Sequence, residues 1–169
     1  MAEKLKKRPV LHLPLTSTEK ILEVVSGVGV LFIILVPIYY EPILPDAIPQ
    51  HFGASGKADA WGGKGNLLVL PIVGIAMYAL LTVISRYPQT WNLPFALTEE
   101  NVERQYRSCR MLLSIIKVEI VWLFAYIGWR TIQTALGEGD GLGQMFLPVF
   151  LIVMTGTLVI YFYRAGQAR

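Results

Sequence analysis

The stretch ILEVVSGVGVLFIILVPIYY, residues 21–40, decides the fold, and the polar stretch EPILPDAIPQHFGASGKADAWGGKG, residues 41–65, follows it directly. The first stretch has a single charged residue, Glu23, which lies near enough to its start to reach the membrane interface. At a rise of about 1.5 Å per residue, a helix of this length crosses the roughly 30 Å hydrocarbon core of a bilayer. Residues 21–40 are therefore predicted to form a transmembrane helix, and residues 41–65 are predicted to lie outside the membrane.

Three further apolar runs follow. Hydrophobic residues make up 54% of the 169 residues and charged residues 16%, so the chain is more apolar than most soluble domains. The runs are also far longer than the roughly 9–11 residues of a membrane β-strand. The sequence therefore predicts an all-α membrane protein, a four-helix transmembrane bundle forming one integral membrane domain over residues 1–169. The predicted spans are residues 19–40, 66–86, 109–135 and 144–164.

The charges between the runs predict the orientation of the bundle, because short cytoplasmic segments carry an excess of lysine and arginine. Basic residues are concentrated before the first span, between the second and third spans, and after the fourth: Lys4, Lys6, Lys7, Arg8, Arg86, Arg104, Arg107, Arg110, Arg164 and Arg169. Residues 137–143 contain two acids and no basic residue, and residues 41–65 are mixed. The prediction is a cell-membrane protein with both termini cytoplasmic and both weakly charged loops outside.

The net charge of +3 does not indicate a nucleic-acid partner, because the basic residues flank the apolar runs instead of forming a stripe interleaved with aromatic residues. The partner that the sequence predicts is the lipid bilayer. Cys109 is the only cysteine, so no intrachain disulfide and no cysteine zinc cluster can form. Residues 21–40 are too long for the apolar region of a secretory signal, and we interpret them as a retained first span.

The polar stretch 41–65 is longer than a connection between adjacent helices needs. Its three prolines restrict the backbone of the first half, and its five glycines permit turns in the second half. These features predict a structured extracytoplasmic loop that caps the helix ends. His51, Asp59, Asp46 and Glu41 can supply a divalent-metal site or an acid–base pair. Their spacing matches no metal motif, and the alternative is an ordered loop in which His51 and Asp59 bond each other or the backbone.

The same stretch resembles the signature of a known family. Leu44-Pro45-Asp46 and Ile48-Pro49-Gln50-His51-Phe52, followed by Gly56, Asp59 and Lys64, are similar to the pattern LPDxIPxHxxxxGxxDxxxxK. That pattern belongs to domain of unknown function 1648, the N-terminal module of the SdpI-like bacterial membrane proteins. The resemblance covers about residues 38–85 and implies a bacterial membrane protein with this loop as its most distinctive surface. The name-giving member is an immunity and signalling protein that acts against a secreted toxic peptide; with four predicted spans, this chain is shorter than the longer relatives.

Two charged residues, Lys117 and Glu119, lie within the third predicted span. A charge at the bilayer centre costs roughly 2.5–3.5 kcal/mol on insertion scales, so each residue requires a partner or an aqueous cavity. Lys117 shares a helix face with Arg110 and Ser114 and is predicted to extend its side chain to the cytoplasmic interface. Glu119 lies deeper in the span. The residues on its helix face are Trp122, Tyr126, Trp129, Arg130 and Gln133.

Glu119 has two interpretations. In the first, its polar and aromatic helix face lines a cavity under a lid that contains His51 and Asp59, and Glu119 binds a cation or exchanges a proton. In the second, Glu119 is protonated and bonds a hydroxyl group on a neighbouring helix. The candidate hydroxyl residues are Thr82, Ser85, Thr155 and Thr157.

Three functions remain open from the sequence. The first is a non-enzymatic receptor or immunity-type protein that binds a small ligand or a peptide at the extracytoplasmic loop. Its ligand-binding candidates are His51, Asp59, Lys64, Asp46, Glu119, Trp122, Tyr126 and Arg130. The second is a membrane-embedded enzyme or divalent-metal site built from His51, Asp59 and Glu119. The third, a small transporter coupled through Glu119, ranks last because the sequence shows no internal repeat of the usual transporter kind.

Small residues lie in the first and fourth predicted spans. Close approach of neighbouring helices is permitted by Ser26, Gly27, Gly29 and Gly156. They predict close packing inside the bundle, and the alternative is self-association into a homo-oligomer.

Overall fold

The structure is a computed structural model that describes residues 7–167. Its elements in chain order are α1 (Ser17–Tyr40), β1 (Ala47–Phe52), β2 (Ala58–Gly63), α2 (Val69–Ile84), α3 (Val102–Ala135) and α4 (Phe146–Gln167). Short 3-10 turns lie at Glu41–Ile43, Lys64–Leu68 and Pro88–Thr90. Of the basic residues that predict the orientation, Lys4, Lys6 and Arg169 lie outside the described residues.

Four helical segments are long and apolar enough to cross a membrane: Ser17–Ile43, Lys64–Ile84, Val102–Ala135 and Phe146–Gln167. The predicted all-α class with four such helices is confirmed. Many of the large apolar side chains on these helices face outwards, including Leu35, Ile72 and Ile152 at 58%, 64% and 72% exposure. Exposed apolar surface on this scale indicates contact with lipid. The chain is therefore a multi-pass membrane protein.

The start of α1 is a capping box. The Thr16 hydroxyl accepts a hydrogen bond from the backbone N of Glu19 at 3.2 Å, and the Glu19 carboxylate accepts one from the backbone N of Thr16 at 2.7 Å. This exchange satisfies two amide groups that have no partner within the helix. It also fixes the Glu19 side chain at the helix end, where Arg110 of α3 reaches it.

The central helix is α3, which contacts α1, α2 and α4, whereas α4 packs mainly on α3. Helices α1 and α3 are in close contact at Gly29, where an added Cβ would lie 2.6 Å from Val121 Cγ1. The helix begins at Val102, ahead of residue 109 where the third span is predicted to start. The difference arises because residues 102–108 continue the helix with polar side chains beyond the apolar run.

The loop after α1 is an antiparallel hairpin in which Ala47 pairs with Gly63 and Phe52 with Ala58. The sequence pattern does not indicate these strands, because Pro49 lies inside β1 and glycines lie inside β2. An apolar cluster anchors the hairpin to the ends of α1 and α3: Leu44, Ile48, Leu67 and Ile132, with Val36 and Tyr40 packed against it. The predicted structured loop is therefore a small two-stranded sheet.

Candidate functional site

The hairpin brings together two of the predicted site residues, His51 on β1 and Asp59 on β2. The ring Nδ1 of His51 lies 2.5 Å from Oδ1 of Asp59. Both side chains are exposed, at 69% and 52%. The carboxylate holds one ring nitrogen and so orients the imidazole, which leaves the other nitrogen for a ligand or a proton. The pair can therefore act as an oriented imidazole on the open face of the hairpin.

Two more of the predicted residues, Lys64 and Asp46, close the base of the hairpin. Lys64 Nζ lies 2.9 Å from Oε1 of Glu41 at the end of α1. The backbone N of Lys64 also donates to the carbonyl O of Asp46 at 3.0 Å. These contacts join the exit from α1 to the entry into α2. They give Lys64 and Asp46 a role in holding the loop in place.

A metal site on the hairpin requires more ligands than the His51–Asp59 pair offers. Protein zinc sites use at least three side-chain ligands. Between residues 7 and 167, no group of three or more His, Cys, Asp or Glu side chains is arranged to hold a metal ion. The divalent-metal prediction for His51 and Asp59 thus has two ligands on the hairpin and stays a prediction.

A cavity of about 920 Å³ lies between α3 and α4. Three of the predicted site residues line it from α3: Glu119, Trp122 and Tyr126. Residues 142–145 of the α3–α4 connection and the aromatic and aliphatic side chains of α4 complete its walls. Its volume is within the usual range of small-molecule sites, about 300–1,000 Å³. We call it the α3–α4 cavity.

Glu119 is the one charged residue among those described that line the α3–α4 cavity. Its Oε1 accepts a hydrogen bond of 2.5 Å from the hydroxyl of Thr157 on α4, one of the four hydroxyl residues considered from the sequence. Its Oε2 is buried and has no hydrogen-bond partner among residues 7–167. Buried polar atoms are almost always hydrogen-bonded, so this oxygen is an exception that is free to accept a further hydrogen bond.

Aromatic rings form one wall of the α3–α4 cavity. Tyr126 stacks on Phe146 with ring centroids 5.4 Å apart, and Phe146 stacks on Phe150 at 6.4 Å, both at an interplanar angle of 9°. The Tyr126 hydroxyl also donates to the carbonyl O of Leu142 at 2.8 Å. Tyr126 therefore contributes to the wall and at the same time fixes the connection between the two helices.

The other residues of the predicted polar and aromatic face do not line this cavity. Arg130 donates from Nε to the carbonyl O of Gly141 at 2.6 Å and so holds the α3–α4 connection. Trp129 packs edge-on against Tyr40 of α1, with ring centroids 5.8 Å apart. Side chains at steps of three or four residues drift around a helix of 3.6 residues per turn. Over the length of α3, this drift carries the predicted face away from α4.

The prediction that His51 and Asp59 form a lid over Glu119 is wrong, because neither residue lines the α3–α4 cavity. His51 instead borders a neighbouring cavity of about 480 Å³ between the hairpin, α2 and α3. Leu142 and Phe146 line both cavities. These two side chains therefore lie at the boundary between the cavity beside His51 and the α3–α4 cavity.

The tip of the hairpin is docked on the α3–α4 connection. The backbone N of Leu142 donates to the carbonyl O of Gly56 at 2.7 Å. Gly56 has φ +77°, and an added Cβ would lie 2.4 Å from the carbonyl O of Gly143. Only glycine fits this close contact at a positive φ. The hairpin and the wall of the α3–α4 cavity are thereby coupled through one hydrogen bond.

Lys117 does not extend to the cytoplasmic interface, and that prediction is corrected. Its side chain is 2% exposed, and its ammonium group donates to Glu23 of α1 and, at 3.0 Å, to the hydroxyl of Thr82 on α2. The Lys117 side chain stays inside the bundle instead of extending to the interface, because Glu23 and Thr82 lie within hydrogen-bonding reach of its ammonium group. Glu23, which the sequence places at the interface, thus joins α1 to α3.

Comparison with known proteins assigns the chain to a family. Residues 28–75 match the family described as Domain of unknown function (DUF1648). An uncharacterized protein of Archaeoglobus fulgidus is 30% identical over 161 residues, and the match covers 88% of this chain and 88% of the relative. The chain belongs to the same family as this archaeal protein. No solved structure matches the chain.

The DUF1648 segment, residues 28–75, comprises the second half of α1, the hairpin and the beginning of α2. The predicted DUF1648 module is therefore confirmed, while the narrower SdpI-like assignment stays a prediction. The segment contains His51 and Asp59, but Glu119 and the α3–α4 cavity lie outside it. The relative is archaeal, so the match does not single out bacteria.

Sequence reasoning missed the contribution of the α3–α4 connection to the candidate site and, apart from Thr157, that of α4. Phe146 and Phe150 lie four residues apart and so share a helix face, which is the signal that indicates an aromatic wall. That signal is weak because α4 is apolar on all sides. Leu142 gives no sequence signal at all, since its place between the two cavities depends on the docking of the hairpin.

Proposed function

We propose that this membrane protein is a non-enzymatic binding protein of receptor or immunity type, and that its ligand is a cationic amphipathic molecule held in the α3–α4 cavity. The observation that carries the proposal is the Glu119 carboxyl group, which has one oxygen bonded to Thr157 and the other without a partner among the described residues. A ligand ammonium group would satisfy that oxygen.

The walls of the cavity support an amphipathic ligand. Aromatic and aliphatic side chains surround Glu119, so that an apolar ligand portion is removed from water when it binds. Tyr126, Phe146 and Phe150 supply a stacked aromatic surface for it. A ligand cation near these rings also gains from cation–π attraction.

The position of the hairpin supports a route by which the ligand reaches the α3–α4 cavity. By the positive-inside rule, the hairpin and the α3–α4 connection are outside the cell membrane and both termini are cytoplasmic. A ligand arriving from outside meets the cavity beside His51 first, and Leu142 and Phe146 line both that cavity and the α3–α4 cavity. An immunity-type role against a cationic amphipathic peptide fits this arrangement and the SdpI-like resemblance.

The experiment measures binding of a long-chain alkylammonium that carries a dansyl group at the far end of the chain. The protein is placed in nanodiscs of phosphatidylcholine, and dansyl emission is followed as the probe is added. Glu119→Gln keeps the size of the side chain and an acceptor for Thr157 but removes the charge. Leu123→Trp fills part of the cavity with a larger side chain.

Each variant has a matched control. Glu99→Gln removes an exposed acid from the segment just before α3, and Leu80→Trp adds the same bulk on an exposed face of α2. We expect saturable probe binding that Glu119→Gln weakens on the order of tenfold, the effect of losing one charged hydrogen bond. Leu123→Trp should weaken it as well, and neither control should. Equal signals from wild type, Glu119→Gln and empty nanodiscs would refute the proposal.

A further inference from the structure

At the end of the bundle opposite the hairpin, the segment 8–16 before α1 is fixed across the helix ends. It has no regular secondary structure. Arg110 of α3 donates to the carbonyl O of Leu13 at 2.7 Å and to that of Pro14 at 3.0 Å. The Tyr106 hydroxyl donates to the carbonyl O of Pro9 at 3.3 Å. These bonds hold the segment in one place above the bundle.

A cavity of about 480 Å³ lies between this segment, the last turns of α2 and α3. The N-terminal segment contributes His12 among apolar neighbours, and α2 contributes Tyr78 and Thr82, followed by Arg86 just after its end. Glu23 of α1 also reaches the wall. We call it the N-terminal cavity, and no step of the proposed function uses it.

The charged groups that line the N-terminal cavity leave a net positive charge. Glu23 is neutralised by the ammonium group of Lys117. Arg110, the second arginine of the wall, is matched by Glu19 at 2.6 Å. The guanidinium of Arg86 forms no hydrogen bond or ion pair with any residue between 7 and 167, and Arg86 is exposed. One full positive charge is therefore left over at the cavity.

Hydrogen-bond donors surround that charge. The Arg86 guanidinium presents a planar fork that matches the oxygens of a phosphate group with two parallel hydrogen bonds. The Thr82 hydroxyl accepts from Lys117, which leaves its own hydrogen free to donate. The Tyr78 hydroxyl is a further donor on the same helix. The lining of the cavity thus contains an arginine fork and two hydroxyl groups.

We infer that the N-terminal cavity binds a phosphate-bearing anion through Arg86, as either the headgroup of an anionic membrane lipid or a soluble phosphate compound. The position favours contact with lipid headgroups, because the exposed aromatic ring of Tyr87 and the apolar side chains of Val83 and Ile84 lie beside Arg86. Aromatic rings are enriched at the membrane interface, where phosphate headgroups lie. Basic pockets between transmembrane helices bind such headgroups.

The test is retention of phosphatidylglycerol by the full-length protein in native mass spectrometry, after solubilisation with that lipid and with phosphatidylcholine as the uncharged competitor. Arg86→Gln removes the charge and the fork, while Arg86→Lys keeps the charge alone. Arg104→Gln is the matched control, because it removes the same charge from an exposed position outside the cavity. A second arm adds inorganic phosphate to protein in phosphatidylcholine nanodiscs and measures the melting temperature.

We expect Arg86→Gln to reduce phosphatidylglycerol retention on the order of tenfold, with Arg86→Lys intermediate and Arg104→Gln unchanged. If inorganic phosphate raises the melting temperature and Arg86→Gln abolishes that rise, the ligand is a soluble phosphate compound, which also supports the inference. Equal loss with Arg86→Gln and Arg104→Gln, or no response in either arm, overturns it. Neither result bears on alkylammonium binding at Glu119, which lies in the other cavity.

Discussion

Arg110 of α3 donates two hydrogen bonds to the carboxylate of Glu19 at the start of α1, from Nε to Oε1 at 2.6 Å and from Nη2 to Oε2 at 3.0 Å. The two side chains are 9% and 2% exposed. The same guanidinium also holds the carbonyl groups of Leu13 and Pro14. A single side chain thus joins the N-terminal segment, α1 and α3, and removing it leaves the buried Glu19 carboxylate with its Thr16 hydrogen bonds but without a positive charge beside it.

Arg110→Met should therefore lower the free energy of unfolding by about 3–5 kcal/mol, the range for a buried pair that loses one partner. The double variant Glu19→Gln with Arg110→Met should be more stable than Arg110→Met alone, because no buried charge is left unpaired. Denaturant titration in detergent micelles, followed by circular dichroism, measures both. Arg104→Met at an exposed position is the control, and an equal loss of stability there would contradict the assignment.

Gly56→Ala should loosen the hairpin from the α3–α4 connection. Alanine at φ +77° is strained by about 1–2 kcal/mol, and its Cβ would lie 2.4 Å from a backbone oxygen that cannot move aside as a side chain would. Gly65→Ala is the control, because an added Cβ there has no atom within 4 Å and its φ is not positive. Limited proteolysis should cut the hairpin faster in Gly56→Ala than in Gly65→Ala. Equal cutting rates would mean that the docking contact is not needed.

Gly29→Ala and Gly27→Ala form a second matched pair, on one helix and two residues apart. A Cβ at Gly29 would meet Val121 Cγ1 at 2.6 Å, whereas a Cβ at Gly27 has no atom within 4 Å. Overpacking of this kind costs about 1–3 kcal/mol, so Gly29→Ala should lower the melting temperature in detergent. Gly27→Ala should leave it unchanged or raise it. The opposite order would place the close α1–α3 contact elsewhere.

The membrane helices could be predicted from the sequence because length and apolar character are local properties. A run such as residues 21–40 needs no knowledge of its neighbours to be long enough for a bilayer. The composition of residues 41–65 likewise indicates a structured loop. The strands within it could not be predicted, since Pro49 and the glycines of β2 argue against strands locally and the apolar anchors Leu44 and Ile48 decide the outcome.

Only part of the candidate site could be predicted from the sequence, because residues that contact each other there are distant along the chain. Lys117 bonds to Glu23, which lies 94 residues away along the chain. The residues near Lys117 in the sequence do not reveal this partner and instead indicate a position at the interface. Glu119 could be singled out as an acid in an apolar span, and Thr157 could be named among four hydroxyl residues. Its bond to Thr157 depends on the packing of α4 on α3. The same packing creates the α3–α4 cavity, which cannot be predicted from either helix alone because both helices contribute to its walls.

The hairpin and the C-terminus should lie on opposite sides of the membrane, because α1 to α4 reverse the chain direction at each crossing and four spans return it to the starting side. The positive-inside rule predicts that both termini are cytoplasmic. In a Cys109→Ser background, Ser55→Cys at the exposed hairpin tip should react with a membrane-impermeant maleimide in intact cells. Gln167→Cys at the end of α4 should react only after lysis. Labelling of both in intact cells would contradict the four-span topology, and labelling of Gln167→Cys alone would reverse the orientation and place the α3–α4 cavity at the cytoplasmic face.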